Sequence, residues 1–305
     1  MTKRCVALRQ VDEPQTTIAE IRSLKGKAAF VDGEGTVLFR PADPGTGIVF
    51  HVSGLRDPVP ATYDRLIPID KEHGQHTTTL RASDSVAIKT PEHLLAAVYG
   101  LCISNLIVVT NAEALIPFLD GSALPFADIL ARAEIVAQPG TSQQRVIVER
   151  PFDIRLGESS IHVRPDPGLV VSAAIDFPHP IGVQQLRYWH TPTMFCLHLA
   201  WARTFAFGPF KDEETTRKKL PGFEIHQMER ITDSNMIVYR DGRLTTSRGN
   251  DEEIRHKILD LLGDLALLRM PLQGSLNVFR PSHSLNHELV RFISKELDVS
   301  VDKVV

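Results

Sequence analysis

His256-Lys257-Ile258-Leu259-Asp260-Leu261-Leu262-Gly263-Asp264 sets three polar side chains four residues apart in an apolar run. A helix turns by about 100° per residue, so His256, Asp260 and Asp264 stack along one face. Ile254, Ile258, Leu261, Leu262, Leu265 and Leu268 fill the rest of the segment, which predicts a buried helix over 252–268. Burying the polar stripe without partners costs several kcal/mol, and a divalent metal is one partner that offsets it. A His and a carboxylate one turn apart suit zinc.

Reading outward from this helix, a strand over 274–279 and a second helix over 285–297 follow. The first half shows the same order: a helix over 91–101, a strand over 105–110 and a helix over 125–133. Strand-like segments precede each unit, at 35–39 and 47–52 in the first half and at 145–149 and 169–177 in the second. Each unit carries a His near the start of its first helix, His93 and His256. The polar stretch Gln138 to Gln144 reads as a linker. The fold class expected is α+β, with two similar halves, 1–140 and 145–305, facing each other across a site between their helices. One mixed domain is the alternative.

At 305 residues, 43% hydrophobic and 23% charged, the chain reads as a soluble globular protein with enough core to stand as a monomer. A net charge of -3 argues against general attraction to nucleic acid or anionic membrane. Cys5, Cys102 and Cys196 show no CxxC spacing, which excludes a disulfide framework and a Cys-based zinc site. No apolar run approaches about 18 residues, and the apolar run after Met1 is too short for a signal peptide. A cytoplasmic protein without stable membrane insertion is expected.

Thr90-Pro91-Glu92-His93 reads as a helix start, with Thr90 as N-cap and Pro91 in the first helical position. With His256 and Asp260, His93 completes three ligands and leaves one position open, as in catalytic rather than structural zinc sites. Fe²⁺ also occupies sites of two His and one carboxylate. Glu92, beside a ligand, is placed to act as general base, and Lys257 to offset charge on an oxyanion. Ser282-His283-Ser284 reads as a loop before the last helix, where Asp264 could orient His283 and keep it protonated as an acid for a leaving amine. Thr204 in Ala202-Arg203-Thr204-Phe205 offers a hydroxyl. Taken singly, the same residues read as a capped helix, a solvated lysine, a surface histidine and an ordinary threonine.

Taken together they carry a resemblance. Thr90 to Leu94, Asp120 to Phe126, Ile175 to Gly182, Ala202 to Phe205, His256 to Asp264 and Ser282 to Asn286 occur in that order. The order resembles that of the UDP-3-O-acyl-N-acetylglucosamine deacetylases, the zinc amidases of lipid A biosynthesis. Arg40-Pro41-Ala42, Thr46 to Phe50 and His76 to Leu80 are similar to further segments of that family, so the resemblance covers nearly the whole chain. It implies helices of both halves packed between two β-sheets, with His93, His256 and Asp260 as zinc ligands and Glu92 as base. It further implies His283 as the acid, Asp264 as its support, Lys257 as an electrostatic residue and Thr204 as a donor to the oxyanion. The implied partner is a small-molecule N-acetyl amino-sugar substrate linked to a nucleotide; Arg255, Lys257, Arg217, Lys218 and Lys219 are candidates to meet its diphosphate, with solvated surface charge as their default reading. An insert is expected around 176–200; Leu186, Trp189, Met194, Phe195 and Leu197 are candidates to line an acyl passage there, with buried core the commoner fate of such residues.

The chain departs from the family at substrate-facing segments. The family's Gly-Leu-His-Ser-Gly is replaced by Lys27 to Gly35, which holds no histidine, its Gly-rich segment by Glu224 to Thr232, and the flanks of His283 are Ser282 and Ser284. Three functions are therefore weighed. The first is zinc-dependent hydrolysis of the N-acetyl group of UDP-3-O-acyl-N-acetylglucosamine. The second is the same chemistry on an unacylated N-acetyl amino sugar or sugar nucleotide. The third is a non-catalytic binding protein on the same fold, against which the complete set of ligands, base and acid argues.

Overall fold

The computed structural model describes residues 4–29, 33–69, 77–207, 235–240, 243–244 and 247–297. Among them lie the helices α1 (Glu92–Gly100), α2 (Leu124–Arg132), α3 (Pro192–His198), α4 (Glu252–Leu265) and α5 (His283–Leu297). A first sheet takes the strand order Arg22–Lys27, Glu34–Pro41, Leu106–Thr110, Ile48–Val52, Val59–Pro60. A second, seven-stranded sheet is centred on Leu272–Phe279. That strand runs antiparallel to Ser159–Arg164 on one side and parallel to Leu169–Phe177 on the other.

Parallel pairing requires a crossover connection, and in each sheet a parallel pair encloses one of the two central helices in sequence. Ile48–Val52 and Leu106–Thr110 are separated by α1, and Leu169–Phe177 and Leu272–Phe279 by α4. The alternation of Leu272, Gly274, Leu276 and Val278 inward with Gln273, Ser275, Asn277 and Phe279 outward gives the central strand one core face. α1 lies along α4, α2 covers the first sheet at Arg22–Lys27, and α5 covers the second at Phe152–Leu156 and Val6–Val11. The architecture is α+β, with α1 and α4 innermost between the sheets. Both helices are buried almost all round, which is why they are mostly apolar apart from the polar first turns, Arg255, Lys257 and the stripe of His256, Asp260 and Asp264. The two helices approach closely at Gly263, where an added Cβ would sit 2.2 Å from the Glu92 carbonyl oxygen.

Several local expectations differ from the structure. The linker contracts to a turn at 139–142 between Ile135–Gln138 and Gln143–Val148. The first residues do not stay with the first half, since Val6–Val11 pairs with Gln143–Val148 in the second sheet. Thr90 does not cap α1: its φ of 56° is left-handed, its hydroxyl donates to the Lys89 carbonyl, and the helix opens at Glu92 behind Pro91. His283 is the first residue of α5 rather than part of a loop, because Ser282 Oγ accepts the Leu285 amide at 3.3 Å and so starts the helix two residues earlier.

Residues 176–200 continue the second sheet as a hairpin of Leu169–Phe177 and Gly182–Trp189, followed by α3. The strands that leave this sheet are Phe205–Phe207, Ile237–Arg240 and Arg243–Leu244, which form a sheet of their own. Leu186, Trp189, Met194, Phe195 and Leu197 do not share one passage. Phe195 is buried against Gly100, whereas Trp189 is 50% and Leu197 64% exposed. Among the described residues no helix is long and apolar enough to cross a membrane.

Candidate active site

α1 presents His93 from its first turn, and α4 presents His256 and Asp260 one turn apart, so contact between these two helices brings the three together. Their potential ligand atoms all lie within 4.8 Å of one another, and all three residues are buried. Asp260 Oδ1 stands 3.2 Å from His256 Nε2 and 3.8 Å from His93 Nε2. The two imidazole rings meet edge to face with centroids 5.0 Å apart.

Charge and proton placement follow from the surroundings. Burial, reinforced by His256, lowers His93 to about 3, and burial also lowers His256, so both rings are neutral. Burial pushes the Asp260 carboxyl up, but His256 and Lys257 outweigh it and hold it below the usual carboxylate range. His256 Nδ1 donates to the Ala202 carbonyl at 3.1 Å, which turns the Nε2 lone pair toward Asp260. Lys257 Nζ donates to Asp260 Oδ2 at 2.8 Å. Asp260 Oδ1 is buried without a hydrogen-bond partner. An imidazole lone pair and a carboxylate lone pair facing each other repel unless a cation lies between them. The residues therefore fit a divalent metal, with two nitrogen donors and one oxygen donor.

A second group adjoins the first. Glu92 is buried, and burial lifts its carboxyl to about 8 against the pull of His283. His283 Nε2 lies 4.0 Å from Glu92 Oε1 and 3.8 Å from Asp260 Oδ2. Its other nitrogen, Nδ1, is 2.7 Å from Asp264 Oδ2. Burial pulls His283 down, yet Asp264 and Asp260 raise it to about 9. Asp264 receives Asn286 Nδ2 at 2.9 Å and the Thr78 hydroxyl at 2.6 Å. One buried group thus has raised affinity for a proton while its neighbour holds one, the arrangement that general base and general acid require.

Thr204 is fixed through its backbone, its amide donating to Gly121 and its carbonyl accepting from Ile237, both at 2.9 Å. The preceding Arg203 is buried in an ion pair with Glu252 at 2.9 Å, and Glu252 also accepts the Arg203 amide at 3.0 Å. This clamp holds the segment whose Ala202 carbonyl sets the His256 tautomer. Lys257 Nζ lies 5.6 Å from the centre of the Phe205 ring. Arg255 is engaged with the His198 carbonyl and the Trp201 ring. Arg217, Lys218, Lys219 and the segment 224–232 lie outside the described residues.

The structure thus gathers Glu92, His93, His256, Lys257, Asp260, Asp264 and His283 at one place. Sequence reasoning assigned no role to Thr78, Asn286 or His287, which all join the Asp264 network. His287 carried a signal, four residues after His283 and therefore on the same helix face.

The sequence matches the LpxC family, described as UDP-3-O-acyl N-acetylglycosamine deacetylase, over residues 15–295. It is 35% identical over 271 residues to the UDP-3-O-acyl-N-acetylglucosamine deacetylase of Thioalkalivibrio sulfidiphilus, covering 86% of this chain and 84% of that protein. To the enzyme of the same name from Myxococcus xanthus it is 32% identical over 286 residues, covering 92% and 87%.

Proposed function

The chain belongs to the UDP-3-O-acyl N-acetylglycosamine deacetylase family and is a hydrolytic N-deacetylase, and we propose that it removes the acetyl group of UDP-3-O-acyl-N-acetylglucosamine. The observation that carries the site assignment is the orphaned Asp260 Oδ1 facing two neutral imidazoles. His93, His256 and Asp260 would hold the metal, zinc by the donor set, with Fe²⁺ the second choice. Such an ion, when bound, lowers the pKa of water and polarises an amide carbonyl.

This chain's residues divide the remaining work. Glu92 accepts a proton from the water whose oxygen attacks the acetamide carbon. Thr204 and Lys257 offset the negative charge that develops on the carbonyl oxygen. His283 donates the proton held at Nε2 to the amine nitrogen as the carbon–nitrogen bond breaks, which yields acetate and a free amine. Asp264 binds the opposite nitrogen and so keeps Nε2 aimed at Glu92 and Asp260. In this reading the first half, without the strand Val6–Val11 that joins the second sheet, supplies Glu92 and His93, and the second half supplies the other groups.

The test is acetate release by metal-reconstituted protein from the acylated nucleotide sugar, from UDP-N-acetylglucosamine and from N-acetylglucosamine. Preference for the acylated compound is expected. Preference for an unacylated one would transfer the proposal to the second substrate class, which the histidine-free stretch Lys27 to Gly35 favours.

A further inference from the structure

We propose that Thr78 and His287 are positioning residues for deacetylation, jointly fixing the Asp264 carboxylate and, through it, the His283 imidazole opposite Glu92. The inference rests on the deacetylase reading above. The Thr78 hydroxyl carries one, and its shortest contact, 2.6 Å, is to Asp264 Oδ1, so it donates there. The Thr78 hydroxyl oxygen also lies 2.9 Å from His287 Nε2. With its proton already committed, Thr78 accepts, and His287 must be protonated at Nε2. That N–H also points toward Asp264 Oδ1, 3.4 Å away.

Asp264 is fully buried, and its two oxygens are divided between donors. Oδ1 faces Thr78 and His287, while Oδ2 faces His283 Nδ1 at 2.7 Å and Asn286 Nδ2 at 2.9 Å. Donors on both oxygens remove the freedom of the carboxylate to rotate about its last torsion. Thr78 reaches further. Its backbone amide lies 3.3 Å from Glu92 Oε2, so this one residue ties the base by its main chain and the partner of the acid by its side chain. His287 in turn holds the Thr78 hydroxyl in the rotamer that does this.

The proposal is tested by steady-state kinetics of Thr78→Val, Thr78→Ser, His287→Leu and His287→Gln, with metal content and melting temperature measured on each. Thr78→Val and His287→Leu are expected to lower kcat about 10- to 100-fold, the usual scale for partners behind a working group, with KM and metal content unchanged. Thr78→Ser and His287→Gln, which keep the donors, should recover most of the loss. Unchanged kcat in the apolar variants overturns the inference. So does equal loss in the Ser and Gln variants, which would show packing rather than hydrogen bonding to matter. Should His287→Leu fail to fold, His287→Asn, whose shorter amide cannot reach Thr78, decides by the same criterion. Wild-type protein that releases no acetate from any substrate would instead overturn the deacetylase reading.

Discussion

Glu92 shows how one residue's environment makes its chemistry. In water a glutamate is too weak a base to take a proton from a water molecule efficiently, but burial lifts this carboxyl to about 8. Replacing it by glutamine keeps its shape and removes its basicity. Glu92→Gln should lower kcat by roughly 10²- to 10⁴-fold while metal content stays at the wild-type level, as measured by elemental analysis beside the rate assay. Loss of metal in step with activity would mean that Glu92 holds the ion rather than the proton. Which residues could be read from sequence follows from distance along the chain. His256, Asp260 and Asp264 stood out because a helix puts residues four apart on one face of an apolar segment. His287 has the same relation to His283 but lies on an amphipathic helix, where a polar residue is ordinary. Thr78 was illegible, because its contact with Asp264 spans 186 residues and its threonine neighbours offer no contrast.

Between α1 and α4, one missing side chain governs how the proposed ligands meet. Gly263 lies where an alanine Cβ would come within 2.2 Å of the Glu92 carbonyl oxygen. Backbone cannot swing aside as a side chain does, so the helices must separate, and His93 and Glu92 move away from His256 and Asp260 together. Gly263→Ala is expected to lose at least the 1–3 kcal/mol typical of overpacked cores, about 2 kcal/mol or more, despite alanine's better helix propensity. It should also bind zinc more weakly, as read by urea unfolding and by competition with a chelating dye. A variant as stable as wild type would show that the two helices are not held at this distance. Elements such as α4 were legible because periodicity is local. The pairing of Val6–Val11 with Gln143–Val148 was not, since a strand's sequence records which face is buried but not which distant strand lies beside it.

At the scale of the whole molecule, the two halves meet on both sides of the α1–α4 contact. On one side the proposed metal would join His93 to His256 and Asp260, so ligation and stability are linked. Protein in free zinc at 100 times Kd should gain about 2.7 kcal/mol over chelator-treated protein, and identical unfolding curves would count against the site. On another side, a cavity of about 390 Å³ is lined by residues of both halves, among them Tyr99, Leu169, Met270 and His190. His190 is placed between the Tyr188 hydroxyl at 3.0 Å and Cys102 Sγ at 3.8 Å. Burial there lowers its pKa from 6.5 to about 4, so the fold holds it neutral while the unfolded chain protonates it. Between those two values the unfolded state binds the extra proton. The stability this group contributes is therefore complete above about pH 6.5 and is lost progressively as pH falls toward about 4. At 1.36 kcal/mol per unit, lowering the pH from about 6.5 to about 5 should cost about 2 kcal/mol through this residue. His190→Asn keeps an acceptor near the Tyr188 hydroxyl but cannot take up a proton. Its urea-unfolding free energy should fall less than that of wild type over this interval, by about that 2 kcal/mol. Parallel pH curves for the two proteins would mean that water or a charged neighbour already compensates the buried imidazole, and the contact between the halves would then have no part in their acid sensitivity.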